Sequence, residues 1–593
     1  MLNRVACICV LATALGLATG TAYAQKPKGG KADAAAKDAK KDAKDAKDAK
    51  KGGDKKGGDA KKGGGAAVDI ELDEPGQAKD TGPVVAGQMT EEAAQAKRLF
   101  DSERWSEAAL ALDRVQKGET GDDEGNKQIA QYNLAIALYR LKLYQASYNI
   151  FSIVADNPNH LKFNETLLWL SKLATQLPEP ADIVERVGKY KADAIARFNN
   201  PNQHELYWQL NYLLGRYKYR NRQYEEAIQL FQNVGKDSKY FVKSQFFQGI
   251  SYVQLRRSVP AVKSFQRIVT AIDEGVEMED EARMRDLAYL SMARTYYTAS
   301  IKLDENNTPS VDDKKLSAAV KYWNKIDTGS EYWLDGLFEE SWAYFMAADY
   351  PRALGNIHTI QSPYFPNSFY PEADILRAVI YFSTCQYDDA TTIVARFKTK
   401  YEPIKKELEA VLARFKGENQ EAPFFNFLRD VRGGKADLPA EIRPIVENAL
   451  SDRQLLRNIE YVRVLEEEEK TFQKAPETFR KSSLGGDVKD ALDLAKELAI
   501  RNAGNLARER YQRTLDELNE HMRDSAKILI DITAAQRNKL EQKIQSGMIT
   551  KEEMKLYGMV TPDEEHVLWP FDGEFWRDEL GFYRQVVVSN CGR

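Results

Sequence analysis

Residues able to do chemistry are few in this chain, and they stand apart. The five histidines are His160, His204, His358, His521 and His566. None lies at a metal-ligand spacing from another or from a cysteine pair, so each reads as a lone polar or satisfied side chain. The glycines between Gly52 and Gly65 follow no strand pattern and make no phosphate-binding loop. No Gly-x-Ser-x-Gly elbow occurs, and no base is apparent beside a nucleophile. Carboxylates run together at Glu466–Glu469, but on a long helix such a run is a solvated face. The chain is therefore read as non-enzymatic, without metal or cofactor. A cell-wall hydrolase built from scattered carboxylates is the remaining enzymatic alternative.

Of the four cysteines, Cys7 and Cys9 fall in an apolar stretch at the start, which leaves Cys385 and Cys591. A compartment outside the cytoplasm would permit a disulfide between them. The reading adopted here instead places Cys385 on the buried side of a helix beside Tyr381 and Tyr387, as a small core residue.

Arg4, the apolar run Val5–Thr19 and the small-x-small site Ala22-Tyr23-Ala24 have the order of a secretory signal, residues 1–24, with cleavage before Gln25. The formal charge of −4 becomes −5 once Arg4 is removed. That balance points to no nucleic-acid partner. Residues 25–89 are a Lys/Asp/Ala/Gly-rich linker, expected to be disordered. Between Lys26 and Lys62 there are 14 Lys and 7 Asp, and no side chain there can build a core. The segment reads as a solvated spacer, or as a tether touching peptidoglycan or lipid headgroups.

Order begins at Thr90, an N-cap before Glu91 and Glu92. From there one spacing recurs seven times. A small residue is followed by an aromatic one turn later, then by a turn, then by a small residue in a second helix. Its clearest copies are Ala378, Tyr381, Tyr387, Ala390, Val394, Phe397 and Ser341, Tyr344, Tyr350, Ala353, Ile357, Ile360. Others are Gly249, Tyr252, Ser258, Ala261, Phe265, Ile268 and Gly215, Lys218, Tyr224, Ala227, Phe231, Val234. Intervals of 34 residues separate Ala227 from Ala261 and Ala319 from Ala353. This spacing suits helical hairpins that touch closely at one point and interlock bulky groups elsewhere. Two expected departures are an extra helix pair at Phe163–Leu177 and Ala181–Phe198, and an insert with an exposed loop at Asp304–Pro309.

These residues resemble the tetratricopeptide-repeat (TPR) family, over 90–401 and about eight hairpins. The resemblance implies an all-α, right-handed superhelical solenoid whose inner groove binds partner proteins or peptides. By helical phase, Tyr212, Arg216, Gln248 and Arg294 would face that groove.

Beyond it, 402–546 reads as a helical region with a long antiparallel coiled-coil-like hairpin. Its arms are a helix from Pro439 to Lys474 and a long amphipathic helix from Val488 to Gln545, the latter ended by Gly547. A dimer between chains is the rival arrangement. Capping boxes stand at Thr550–Glu553 and at Thr561 and Glu564. The segment 547–593 is an aromatic-rich cap that supplies Trp569, Phe571, Phe575 and Trp576, either as a lid or as anchors for a partner. The tail resembles exported TPR proteins of delta-class bacteria, including components of envelope-spanning gliding machines. The function expected is a periplasmic, non-enzymatic scaffold binding other envelope proteins, with a cell-wall or outer-membrane assembly factor as alternative.

Overall fold

The computed structural model describes residues 84–593 apart from 277, 279, 304–308, 437, 440–441, 444, 447–451, 547–554, 558–563 and 592–593. The secretory segment, nearly all of the linker, the Thr550–Glu553 box and Thr561 lie outside the described residues, as does most of the 304–309 loop.

Among the described residues eight helical units follow one another, all but the third of them hairpins. They are α1 (Glu91–Asp101) with α2 (Trp105–Gln116), α3 (Glu124–Arg140) with α4 (Tyr144–Asp156), and α5 (Thr166–Leu173) with the short α6 (Ile183–Val187) and α7 (Ala192–Ala196). Next come α8 (His204–Arg220) with α9 (Tyr224–Gln232), α10 (Phe241–Gln254) with α11 (Ser258–Asp273), and α12 (Glu281–Ser300) with α13 (Asp313–Trp323). Last are α14 (Trp333–Met346) with α15 (Tyr350–Ile360), and α16 (Pro371–Ser383) with α17 (Tyr387–Arg414). The chain is all-α in class, a TPR-like solenoid; the described strands are three-residue pairs.

The repeated spacing does what its residue types require. A Cβ added at Gly249 would lie 2.4 Å from the Phe265 ring, and one at Gly215 would lie 2.6 Å from Phe231. The first helix must be bare there because the ring of the second fills the space. Between the helices, Glu103, Lys142, Arg222, Arg256, Ala348 and Cys385 adopt left-handed backbone with φ of 56–62°. Each stands two residues before a second helix. Its N–H and the next one turn back onto the first helix, as Cys385 N does to Phe382 O and Gln386 N to Tyr381 O.

Several boundaries differ from the sequence reading. The extra pair at 163–198 is not a regular hairpin: Pro178 precedes and Pro180 lies within a 3₁₀ turn at Glu179–Ala181, neither offering an N–H donor, and Asp182 is left-handed at φ 64°. The insert between α12 and α13 folds as a two-stranded ribbon, β1 (Ile301–Leu303) against β2 (Pro309–Val311). Helix α17 runs through Pro403 to Arg414, so the boundary expected at 401 falls within a helix.

After α17 come α18 (Glu421–Arg432), α19 (Arg453–Lys474), the short α20 (Glu477–Arg480) and α21 (Ser483–Ser546), which is 64 residues long. Helices α19 and α21 form the expected antiparallel intrachain hairpin, pinned by Lys496 to Glu469 at 2.7 Å. The long helix begins at Ser483 rather than Val488. Ser482 Oγ accepts from Gly485 N at 2.9 Å and so draws both glycines into the first turn. Buried Leu492, Ala499, Ala503, Ala507, Tyr511, Leu515 and Leu518 form its inner stripe. Among the described residues no helix is long and apolar enough to cross a membrane.

Candidate functional site

The C-terminal hairpin lies against the repeats, and the contacts are specific. Glu179, fixed in the 3₁₀ turn between prolines, receives Arg216 and Arg220 from α8 and Arg457 from α19. The Arg220 pair is 2.7 Å long. Burial pushes the Glu179 carboxyl up, but the three guanidinium groups outweigh it and hold it at about 2. Arg216 also stacks over Phe247, 4.5 Å from the ring centre, and donates to Tyr212 Oη at 3.3 Å. One turn earlier on α19, Arg453 pairs at 2.5 Å with Glu331, which precedes α14. Neighbouring turns of one helix thus grip the third and the seventh hairpins.

Further along α19, the Glu468 carboxylate accepts Gln145 N at 2.9 Å and Ala146 N at 3.3 Å. These are first-turn donors of α4, whose own N-cap, Leu143, offers no side-chain acceptor. A residue 323 positions away supplies the missing cap. Burial drives Glu468 up to about 7, against the pull of the backbone donors. Tyr461 Oη donates to Gln145 Oε1 at 2.6 Å. Lys117, just past α2, meets Asp487 of α21 at 2.8 Å. At the other end of α21, Lys539 Nζ donates to Asn590 O at 3.3 Å. Roughly 80 Å of helix separates these two points at 1.5 Å per residue.

Of the four residues assigned to the inner groove, three are engaged within the array and Gln248 lines a cleft. Arg216 shares Glu179 with Arg457 of α19 and is mostly buried. Tyr212 is buried and stacks on Tyr240 at 5.2 Å. Arg294 pairs with buried Glu339 at 2.5 Å, and Trp323 Nε1 reaches the same carboxylate at 3.4 Å. Gln248 lines a cleft of about 470 Å³ with Gln245, Phe241 and Arg267, and its buried Oε1 lacks a hydrogen-bond partner. Helical phase alone does not reveal such internal partners, because they come from neighbouring helical units.

The aromatic tail is both lid and patch. Its main chain is tied to the repeats by Gly581 N to Thr359 Oγ1 at 2.9 Å, Gln585 N to Pro351 O at 3.0 Å and Asn590 N to Thr384 O at 2.8 Å. Strand β4 (Val587–Ser589) pairs with β3 (Lys555–Tyr557). Cys591 is disulfide-bonded to Cys385, with a Cα–Cα distance of 5.0 Å. This overturns the reading of Cys385 as a core residue. The residue lies not on a helix face but at the left-handed turn position, half-buried, where the tail passes.

His358 forms the seat of the lid. Its ring stacks on Phe575 at 4.4 Å and meets the edges of Phe571 at 4.6 Å and Tyr583 at 5.1 Å. Burial, helped by Arg377, lowers its pKa to about 4, so it is neutral at pH 7. Trp569 and Trp576 stack at 4.7 Å. Trp569 and Phe575 are half-buried, whereas Phe571 and Trp576 are exposed. Phe571 thus touches the seat with one edge while half of it faces solvent.

Among the described residues no group of three or more His, Cys, Asp and Glu could hold a metal ion. Of the histidines with described partners, His160 Nδ1 accepts Lys162 N at 3.0 Å and His204 packs on Trp208 at 5.5 Å.

No protein-family model matches the chain, and no curated protein sequence matches it. Solved structures to which it is similar include the apo form of RapI, at 12% identity and a TM-score of 0.25, covering 65% of this chain and 98% of that one. Another is a Rap protein complexed with competence and sporulation factor, at 11% identity and a TM-score of 0.24, covering 72% and 98%. At such scores neither likeness carries an argument, and the fold assignment rests on the hairpins themselves.

Proposed function

We propose that this chain is a non-enzymatic scaffold that binds partner proteins in the bacterial cell envelope, after export to the periplasm and removal of residues 1–24. The observation that carries the reading is the self-braced array. The first, second, third and seventh helical units are tied to the chain's own C-terminal hairpin, which favours a rigid platform with broad outer faces. Rigid display lowers the ordering cost of binding and suits a part of a larger machine, such as an envelope-spanning motility apparatus. The Cys385–Cys591 bridge supports an oxidising compartment, where such bonds persist. Fractionation of cells producing a C-terminally tagged chain tests the location, and crosslinked affinity purification tests the partners. A cytoplasmic pool with both cysteines as free thiols would contradict the proposal.

The lysine-rich segment 26–62 favours a second reading, in which it tethers the scaffold to peptidoglycan or lipid headgroups during envelope assembly. Co-sedimentation of wild type and a 26–62 deletion with purified sacculi separates the two readings. Equal pelleting removes the tether.

A further inference from the structure

The outward half of the tail forms a built surface. Val567, Leu568, Phe571, Trp576 and Phe582 expose 73, 58, 51, 41 and 72% of their area. Exposed apolar side chains concentrated in one short segment ordinarily mark an interface. The backbone beneath is not free to collapse over it. The disulfide fixes one end, and Tyr583 O passes so close to α15 that a Cβ at Gly355 would lie 1.6 Å from it. Tyr583 Oη accepts Trp576 N at 2.8 Å, and Tyr364 Oη donates to Phe575 O at 3.5 Å. The anchors are thus preorganised, which reduces the cost of association.

Charge selects the occupant. Between Glu564 and Val586 there are six carboxylates, Glu564, Glu565, Asp572, Glu574, Asp578 and Glu579, against Arg577 and Arg584. Asp572, Asp578 and Glu579 are exposed, and no ion pair engages them among the described residues. A second copy would bring like charges together, and an anionic bilayer would be repelled. Exposed aromatic anchors in one segment with exposed Asp572, Asp578 and Glu579 complement apolar side chains flanked by Lys or Arg.

We propose that this face is the docking surface for a basic, apolar segment of a partner protein. The proposal rests on the scaffold reading, but its test needs neither the compartment nor the partner. The assay uses the full oxidised chain and a fluorescein-labelled peptide of Lys, Leu and Trp, with a second peptide in which Glu replaces Lys. Fluorescence anisotropy is expected to show salt-sensitive binding of the basic probe only. Trp576→Ala with Phe582→Ala should weaken it at least about tenfold. Asp578→Asn with Glu579→Gln should flatten its salt dependence. Ile153→Ala and Val259→Ala, at exposed apolar sites on α4 and α11, should leave it unchanged. Both carry a signal that folding is intact, namely an unaltered circular-dichroism spectrum and no free thiol. Equal binding by the tail variants overturns the proposal, as does equal binding of the Glu peptide. Dimerisation lost in the tail variants, or binding to phosphatidylglycerol vesicles, would also overturn it in favour of another occupant.

Discussion

Glu468 holds two distant elements together by caring for the backbone of another helix. Its burial leaves no water to substitute, so removing it orphans the first-turn donors of α4. Glu468→Ala should lower unfolding free energy in urea by about 2 kcal/mol, whereas Glu468→Gln, which keeps one acceptor, should cost less. The pH dependence has a definite sign. Its pKa is raised from 4.5 to about 7 in the folded chain. Its contribution is therefore fully present below pH 4.5 and is lost as pH rises through 7. That slope should vanish in Glu468→Gln, measured by urea midpoints across this range. Gly355 is the second decisive residue. Gly355→Ala has nowhere to place its methyl group except against Tyr583 O, so the tail should lift. Hydrogen exchange would then accelerate at Gly581 and Gln585 while the amides of α14 stay protected. Protected tail amides in that variant would refute the close approach. The sequence disclosed Gly215 and Gly249, which repeat, and left Gly355 silent because its partner lies 228 positions away.

At the scale of elements, the tail is a strap whose seat is a neutral histidine. The pKa of His358 is lowered from 6.5 to about 4 by folding. The seat is therefore sound above pH 6.5 and is lost as pH falls through 4, because protonation would put a charge among three aromatic rings. Tryptophan emission from Trp569 and Trp576 should shift to the red over this window, and His358→Phe should abolish the transition. No shift between pH 6.5 and 4 would contradict this account of the seat. Reduction of Cys385–Cys591 should release the far end of the same strap, and Cys591→Ser should raise exchange at Gln585 and Asn590 without changing helix content. The hairpins, the N-cap at Thr90 and the long helix were legible because local periodicity and capping residues write them into neighbouring positions. The 3₁₀ turn at Glu179 falls at the junction of the two helices expected at Phe163–Leu177 and Ala181–Phe198, and their pattern carries no sign of it. The bridge was hidden because Cys385 falls at a turn that resembles a helix end in every copy.

For the whole molecule, the sequence conveys a linear stack, and the structure closes it. Arg453 and Arg457 touch hairpins 152 residues apart, and no period relates those positions. This is why the groove residues were assigned to a free face. Arg216 has its countercharge within the chain, at Glu179. Closure predicts that the array unfolds cooperatively across its length instead of additively by repeat.

That closure is tested most directly by a zero-length amine–carboxylate crosslinker on the purified monomer, read by mass spectrometry. The account predicts a Lys117–Asp487 link and a Lys496–Glu469 link within one chain, at yields comparable to the local Lys489–Asp493 pair, whose atoms are 3.0 Å apart. Recovery of the local link alone, or of Lys117–Asp487 solely between two chains, would contradict it.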